Sequence, residues 1–158
     1  MTRFLSTLVL LLATTVAFAQ TAAPAAAAAA PSPGFSAPAD DALFRELGGG
    51  PGIDAIVGDF VPRLVADART AEFFKKANQA HLIQMLAQQF CVVSGGGCAY
   101  TGLPMAQAHH DMDISKADFN ALVEVLQASL DACHVPFATQ NRLLARLAPM
   151  HRQIVNVH

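Results

Sequence analysis

Apolar residues recur at helical spacing through most of the chain beyond residue 42. Leu43, Phe44 and Leu47 share one side of a short predicted helix, Ala42–Leu47, and Gly48-Gly49-Gly50 ends it with a sharp turn. From Gly52 to Ala66, the residues Ile53, Ile56, Val57, Phe60, Val61 and Leu64 follow the i, i+3, i+4, i+7 pattern of a buried helix face. Pro62 interrupts the hydrogen-bond ladder there, so this helix either kinks or stops at Val61. A short helical turn is predicted over 69–76, with Thr70 able to cap it and Phe73 and Phe74 facing inward. Gln79–Val93 carries an apolar stripe of Leu82, Ile83, Leu86, Phe90 and Val93. Ser115 and Asp118 have the spacing of a capping box, with Asp113 as an alternative cap, and open a helix running to about His134. Phe119, Leu122, Val123, Leu126, Leu130 and Cys133 share its apolar face, and Pro136 ends it. A last helix, Thr139–Val155, turns Leu143, Leu144, Leu147, Met150 and Ile154 inward and should kink at Pro149. Periodicity alone thus predicts an all-α chain with one core.

The first forty residues follow a different pattern. Arg3 precedes an apolar run, Phe4 to Phe18, which is too short to span a bilayer comfortably, and Ala17-Phe18-Ala19 has the small-x-small form of a cleavage box. Residues 1–19 therefore read as a secretory signal cleaved before Gln20, leaving no membrane span in the mature form. Residues 20–40 are almost all Ala, Pro, Ser and Thr and read as a disordered linker. The domain proper is 41–158. Within 158 residues, a net charge of −2 gives no reason to expect nucleic acid or an anionic membrane as partner. No phosphate loop, Ser/His/Asp order or paired acid/base carboxylates stand out; Asp111 and Asp113 read as loop or cap residues.

Export implies an oxidising compartment. Cys91 and Cys98 flank a segment containing Gly95-Gly96-Gly97, which lets the chain fold back, so a Cys91–Cys98 disulfide is expected. Cys133 reads as a buried helix residue. The stretch Tyr100–Ile114 holds the candidate chemistry. Pro104 suits the first turn of a short helix, and Met105 and His109, four apart, share a face of it. A neutral imidazole is a good axial ligand for haem iron, and its second nitrogen can donate to a backbone carbonyl of the preceding turn. His110 points about 100° away on a helix and is the weaker candidate.

The order Leu47-Gly48-Gly49, Asp59-Phe60, Leu64-Val65-Ala66-Asp67, Phe73-Phe74, Gly95-Gly96, Tyr100-Thr101-Gly102, then Met105, His109 and Ile114 resembles that of the group I truncated haemoglobins, from about Leu43 to Val155. The resemblance implies a truncated globin-like helical sandwich around haem b (iron protoporphyrin IX), with His109 as the proximal iron ligand. It implies Phe74, Leu82, Leu86, Tyr100, Met105 and Val61 as cofactor contacts, with Gln79–Val93 forming the distal side. The family often has a tyrosine where this chain has Val61 and a glutamine where it has Leu86, so the expected distal pocket is unusually apolar. Met85 stands where a basic residue often meets a haem propionate; it is either a core filler or a sixth iron ligand. His81 is the other distal candidate, or sits near a propionate or solvent. The implied function is binding of a diatomic gas, O₂, NO or CO, in the periplasm or outside the cell. The alternatives are a six-coordinate electron-transfer protein, an NO dioxygenase served by a reductase, and a helical module without haem. A gas-binding protein fits better than a dedicated enzyme, because NO dioxygenation needs stabilised O₂.

Overall fold

The computed structural model describes residues 38–157; the expected signal segment and most of the expected linker lie outside them. Eight α-helices and one 3₁₀ turn account for the regular structure among the described residues, which include no strand. They are α1 (Ala42–Glu46), α2 (Gly49–Ala66), α3 (Ala71–Phe74), α4 (Gln79–Ser94), α5 (Met105–Ala108), α6 (Lys116–Ala132), α7 (Phe137–Leu147) and α8 (His151–Ile154), with the 3₁₀ turn Ala148–Met150 between the last two.

The pairing of α2 with α4 and with α6 organises the fold. Ile53, Ile56, Val57, Phe60, Val61 and Leu64 are all buried, as their spacing predicts, and form one side of the core. Helix α2 starts a turn earlier than the pattern suggested. Gly48 adopts a left-handed φ of 87°, and Gly49, Gly50 and Pro51 form the first turn, where a missing proline N–H costs nothing. The helix also continues through Pro62. Gly58 and Pro62 are both exposed, so water can satisfy the carbonyl that the ring leaves unbonded. Gly52 is fixed by close approach, since a Cβ there would lie 1.9 Å from the Leu47 carbonyl oxygen.

The breaks between helices have local causes. Thr70 does not cap α3 through its side chain, as its type had suggested. Its hydroxyl donates instead to the Leu64 carbonyl at 2.7 Å, one of the acceptors left over at the end of α2. Helix α4 is capped by the Asn78 side chain, which accepts from the His81 N–H at 3.1 Å. It ends at Gly95, with φ 93°, where the Gly96 N–H reaches the Cys91 carbonyl at 2.8 Å. The Ser115–Asp118 capping box opens α6 in both directions. His134, with φ 56°, ends α6: its N–H reaches the Asp131 carbonyl, and the Val135 N–H reaches the Leu130 carbonyl at 3.0 Å. Cys133 is therefore not a core residue of α6; it is half-buried in the cap. At the other internal proline, Pro149, the predicted last helix divides into α7, the 3₁₀ turn and α8.

The Cys91–Cys98 disulfide is present, with Cα atoms 5.9 Å apart, and ties the end of α4 to the loop leading into α5. A Cβ on Gly95 would lie 2.0 Å from the Asp40 carbonyl oxygen, so the residue is needed both for its φ and for the chain that crosses it.

Candidate functional site

Between these helices lies a cavity of about 520 Å³. Its walls are mostly apolar: Phe60 and Leu64 from α2, Phe73 and Phe74 from α3, Leu82 and Leu86 from α4, and Leu122 and Leu126 from α6. Met85, Met105, Met112 and Met150 all line it, bringing polarisable thioethers from four separate segments to one space. Among the described residues that line it there is no lysine or arginine.

His109 also lines the cavity, half-buried at the end of α5. Its Nδ1 lies 2.8 Å from the Met105 carbonyl oxygen. A carbonyl can only accept, so Nδ1 carries a proton and, in the neutral ring, Nε2 keeps its lone pair. The His109 backbone N–H donates to that same oxygen at 3.1 Å, so one carbonyl holds both the main chain and the ring. His110 faces away: it is exposed, pairs with Asp111 at 2.7 Å and does not line the cavity. Asp111 and Asp113 are loop residues with φ of 59° and 52°.

The other sequence-expected residues divide. Phe74, Leu82, Leu86, Tyr100 and Met105 line the same cavity as His109. Val61 does not. It is fully buried in the α2 core, and its helix turns Phe60 and Leu64 to the cavity instead. Met85 and His81 both line the space, Met85 half-buried and His81 exposed. His151 is half-buried, with its ring edge-on to Phe119 at a centroid distance of 4.8 Å.

Polar groups at the margin are committed to the scaffold. The Tyr100 hydroxyl donates to the Leu103 carbonyl at 3.1 Å, and burial pushes its pKa up. The Thr101 N–H and hydroxyl both donate to Gln88 Oε1, at 2.9 and 3.0 Å, fixing this loop to α4. Asp118 is occupied by the capping box; the Ser115 hydroxyl, at 2.6 Å, and the Ser115 backbone N–H hold its carboxyl below the usual range.

One cavity residue carried no signal of function by type. Gln89 is buried, and its Nε2 donates to Met105 Sδ at 3.2 Å and to Met150 Sδ at 3.4 Å. It joins α4 to the histidine helix and to the 3₁₀ turn. Its position, seven residues after Leu82 and three after Leu86, places it on their face of α4.

A family model described as bacterial-like globin matches residues 42–156. The group 1 truncated haemoglobin of Mycolicibacterium paratuberculosis is 29% identical over 113 residues, spanning 72% of this chain and 83% of that protein. The group 1 truncated haemoglobin of Tetrahymena thermophila is 33% identical over 88 residues, 56% of this chain and 73% of that one. Among solved structures, the truncated haemoglobin of Tetrahymena pyriformis in its Fe(III) form superposes with a TM-score of 0.70 at 26% identity, covering 72% of this chain and 97% of that one. The 2/2 haemoglobin of Synechococcus, at 23% identity and a TM-score of 0.68, shares the fold. Matched from α1 to the end of α8 and folded as the truncated haemoglobins are, this chain belongs to the bacterial-like globin family.

Proposed function

We propose that the cavity holds haem b, with the iron on His109 Nε2, and that the protein binds a diatomic gas there. The observation that carries this reading is the 2.8 Å contact from His109 Nδ1 to the Met105 carbonyl, which leaves a ligand lone pair on the other nitrogen of a cavity residue. The cavity volume suits the group, lying within the roughly 300–1,000 Å³ of pockets that bury a cofactor-sized ligand. A single imidazole of this kind suits an iron whose other ligands come with the macrocycle. Haem, when bound, supplies the iron position at which O₂, CO or NO is held.

In this arrangement Leu82 and Leu86 of α4 provide the wall facing the gas. Neither can donate a hydrogen bond, and the Gln89 amide on the same face already donates to the Met105 and Met150 sulfurs, so a ligand that acquires negative charge gains little there, and apolar diatomics are less affected. Met85 lines the same space and favours one second reading, a six-coordinate Met/His haem that carries electrons. The NO-oxidising alternative requires a reductase and stabilised O₂; the leucine wall argues against the second requirement. The disulfide suits an oxidising compartment, and export to the periplasm or beyond is part of the proposal. N-terminal sequencing of the natural protein, expected to begin at Gln20, tests export.

The visible spectrum of the purified ferrous protein, with and without CO, tests the main reading. A five-coordinate high-spin spectrum that shifts with CO is expected. A six-coordinate low-spin spectrum would move the assignment to electron transfer, and absence of a Soret band would remove haem. His109→Ala should lose stable haem binding while circular dichroism stays largely helical.

A further inference from the structure

The segment from His109 to Ile114 joins α5 to α6 and is poorly suited to hold its own shape. Asp111 and Asp113 both adopt left-handed φ, a region most L side chains avoid and aspartate only tolerates. His110, Asp111 and Asp113 are exposed, so little packing holds the loop from outside. Yet the imidazole proposed to hold the iron is the first residue of this loop.

The chain just beyond α8 closes the loop. Asn156 Oδ1 accepts from the Ile114 N–H at 2.6 Å, and Asn156 Nδ2 donates to the His109 carbonyl at 3.1 Å. The amide orientation is set by its partners, since an N–H can only donate and a carbonyl can only accept. The Asn156 and Val157 N–H groups both donate to the Ile114 carbonyl, at 3.0 and 3.2 Å. One carboxamide therefore bridges the two ends of the loop while its own backbone is anchored at one of them. His109 is held on both sides: by the Met105 carbonyl on its ring and N–H, and by Asn156 on its C=O. Only an amide of this length supplies a donor and an acceptor in this geometry; aspartate keeps the acceptor and loses the donor.

We propose that Asn156 is a positioning residue for the His109 ligand, clamping the 109–114 loop so that the imidazole stays aimed into the cavity. This rests on His109 being the iron ligand. Asn156 does not line the cavity; it acts through the backbone of His109.

The test uses the full chain in three variants, N156A, N156D and H109G. In the cofactor-free protein, N156A should exchange the Ile114 amide hydrogen about tenfold faster than the parent, the size of one lost hydrogen bond. N156D should keep that amide protected. Loaded with haem, both variants should release it to an acceptor globin about tenfold faster than the parent, with a shifted iron–histidine stretching band and unchanged helix content. In H109G that band should vanish and return with free imidazole. A band that survives in H109G would overturn the ligand assignment, and the clamp with it. A band lost in H109G but unmoved in N156A and N156D, with haem release within about twofold of the parent, would leave the ligand assignment standing and overturn the clamp.

Discussion

In the proposed haem site, Leu86 would set how ligands are treated. It lines the cavity from α4, half-buried, and offers only methyl groups. Leu86→Gln places an amide donor there. A hydrogen bond to a charged group contributes roughly 1.5–3 kcal/mol, so O₂ release should slow more than tenfold while CO release changes little. Stopped-flow ligand replacement measures both, and equal O₂ release in parent and variant would show that the amide cannot reach the ligand. At this scale the sequence was uneven. His109 and its bond to a carbonyl of the preceding turn were legible, because both lie within one helical turn. Gln89 was not, since its type says surface and only its two thioether partners, from segments 16 and 61 residues away, explain its burial. Asn156 lies 47 residues from the His109 carbonyl it binds, and nothing local to it signals that contact.

At the scale of the element, the strongest device is the junction after α4. Gly95 turns the chain through the left-handed region, and Cys91–Cys98 closes it within a separation of 7 residues. This fixes the origin of the loop that carries Tyr100 to the cavity and then leads into α5. In the chain-entropy view, so short a closure contributes about 2–3 kcal/mol, mostly by restricting the unfolded chain. Cys91→Ser/Cys98→Ser should lower the unfolding free energy by about that amount in a urea titration, and reductant should do the same to the parent but not to the variant. A variant as stable as the parent would mean the glycine turn alone holds the junction. Elements with sustained 3.6-residue periodicity, α2, α4 and α6, were legible nearly to their ends. The short ones were less so. The α3 turn is positioned by the Thr70 hydroxyl on the Leu64 carbonyl, a tertiary bond that the residue's capping preference misreads. Val61 shows the same limit from the other direction: periodicity correctly put it inside, but could not say whether inside meant core or cavity.

For the whole molecule, the charged surface sets how the fold responds to acid. Asp67 is held down to about 2, first by the Arg69 side chain and then by the Arg69 backbone N–H; Arg69 also bonds Glu124 on α6, joining the α2–α3 turn to that helix. Arg63 lowers Asp59, Lys75 lowers Glu72, and the Ser115 hydroxyl lowers Asp118. Each of these carboxyls binds its proton more weakly folded than unfolded. Below a pH of about 4 the unfolded chain therefore takes up more protons, and the unfolding free energy falls as pH falls. The contribution is complete above the ordinary carboxylate range and is lost as pH drops toward about 2, the folded value for Asp67. Glu72 is exposed and the other three carboxyls are half-buried at the surface, so salt should distinguish their causes. The Arg and Lys pairs are charge interactions and should weaken in 1 M salt, where the screening length is about 3 Å. The Asp118 contribution comes from neutral donors of the capping box and should persist. Urea titrations of the cofactor-free protein between pH 6 and 2.5, at low and high salt, measure this: the slope with pH should be positive in both, shallower at high salt, and flattened further by Ser115→Ala only in the acid limb. A slope that salt leaves unchanged would mean that the ion pairs contribute nothing to the acid response, and that hydrogen bonds to neutral groups carry all of it.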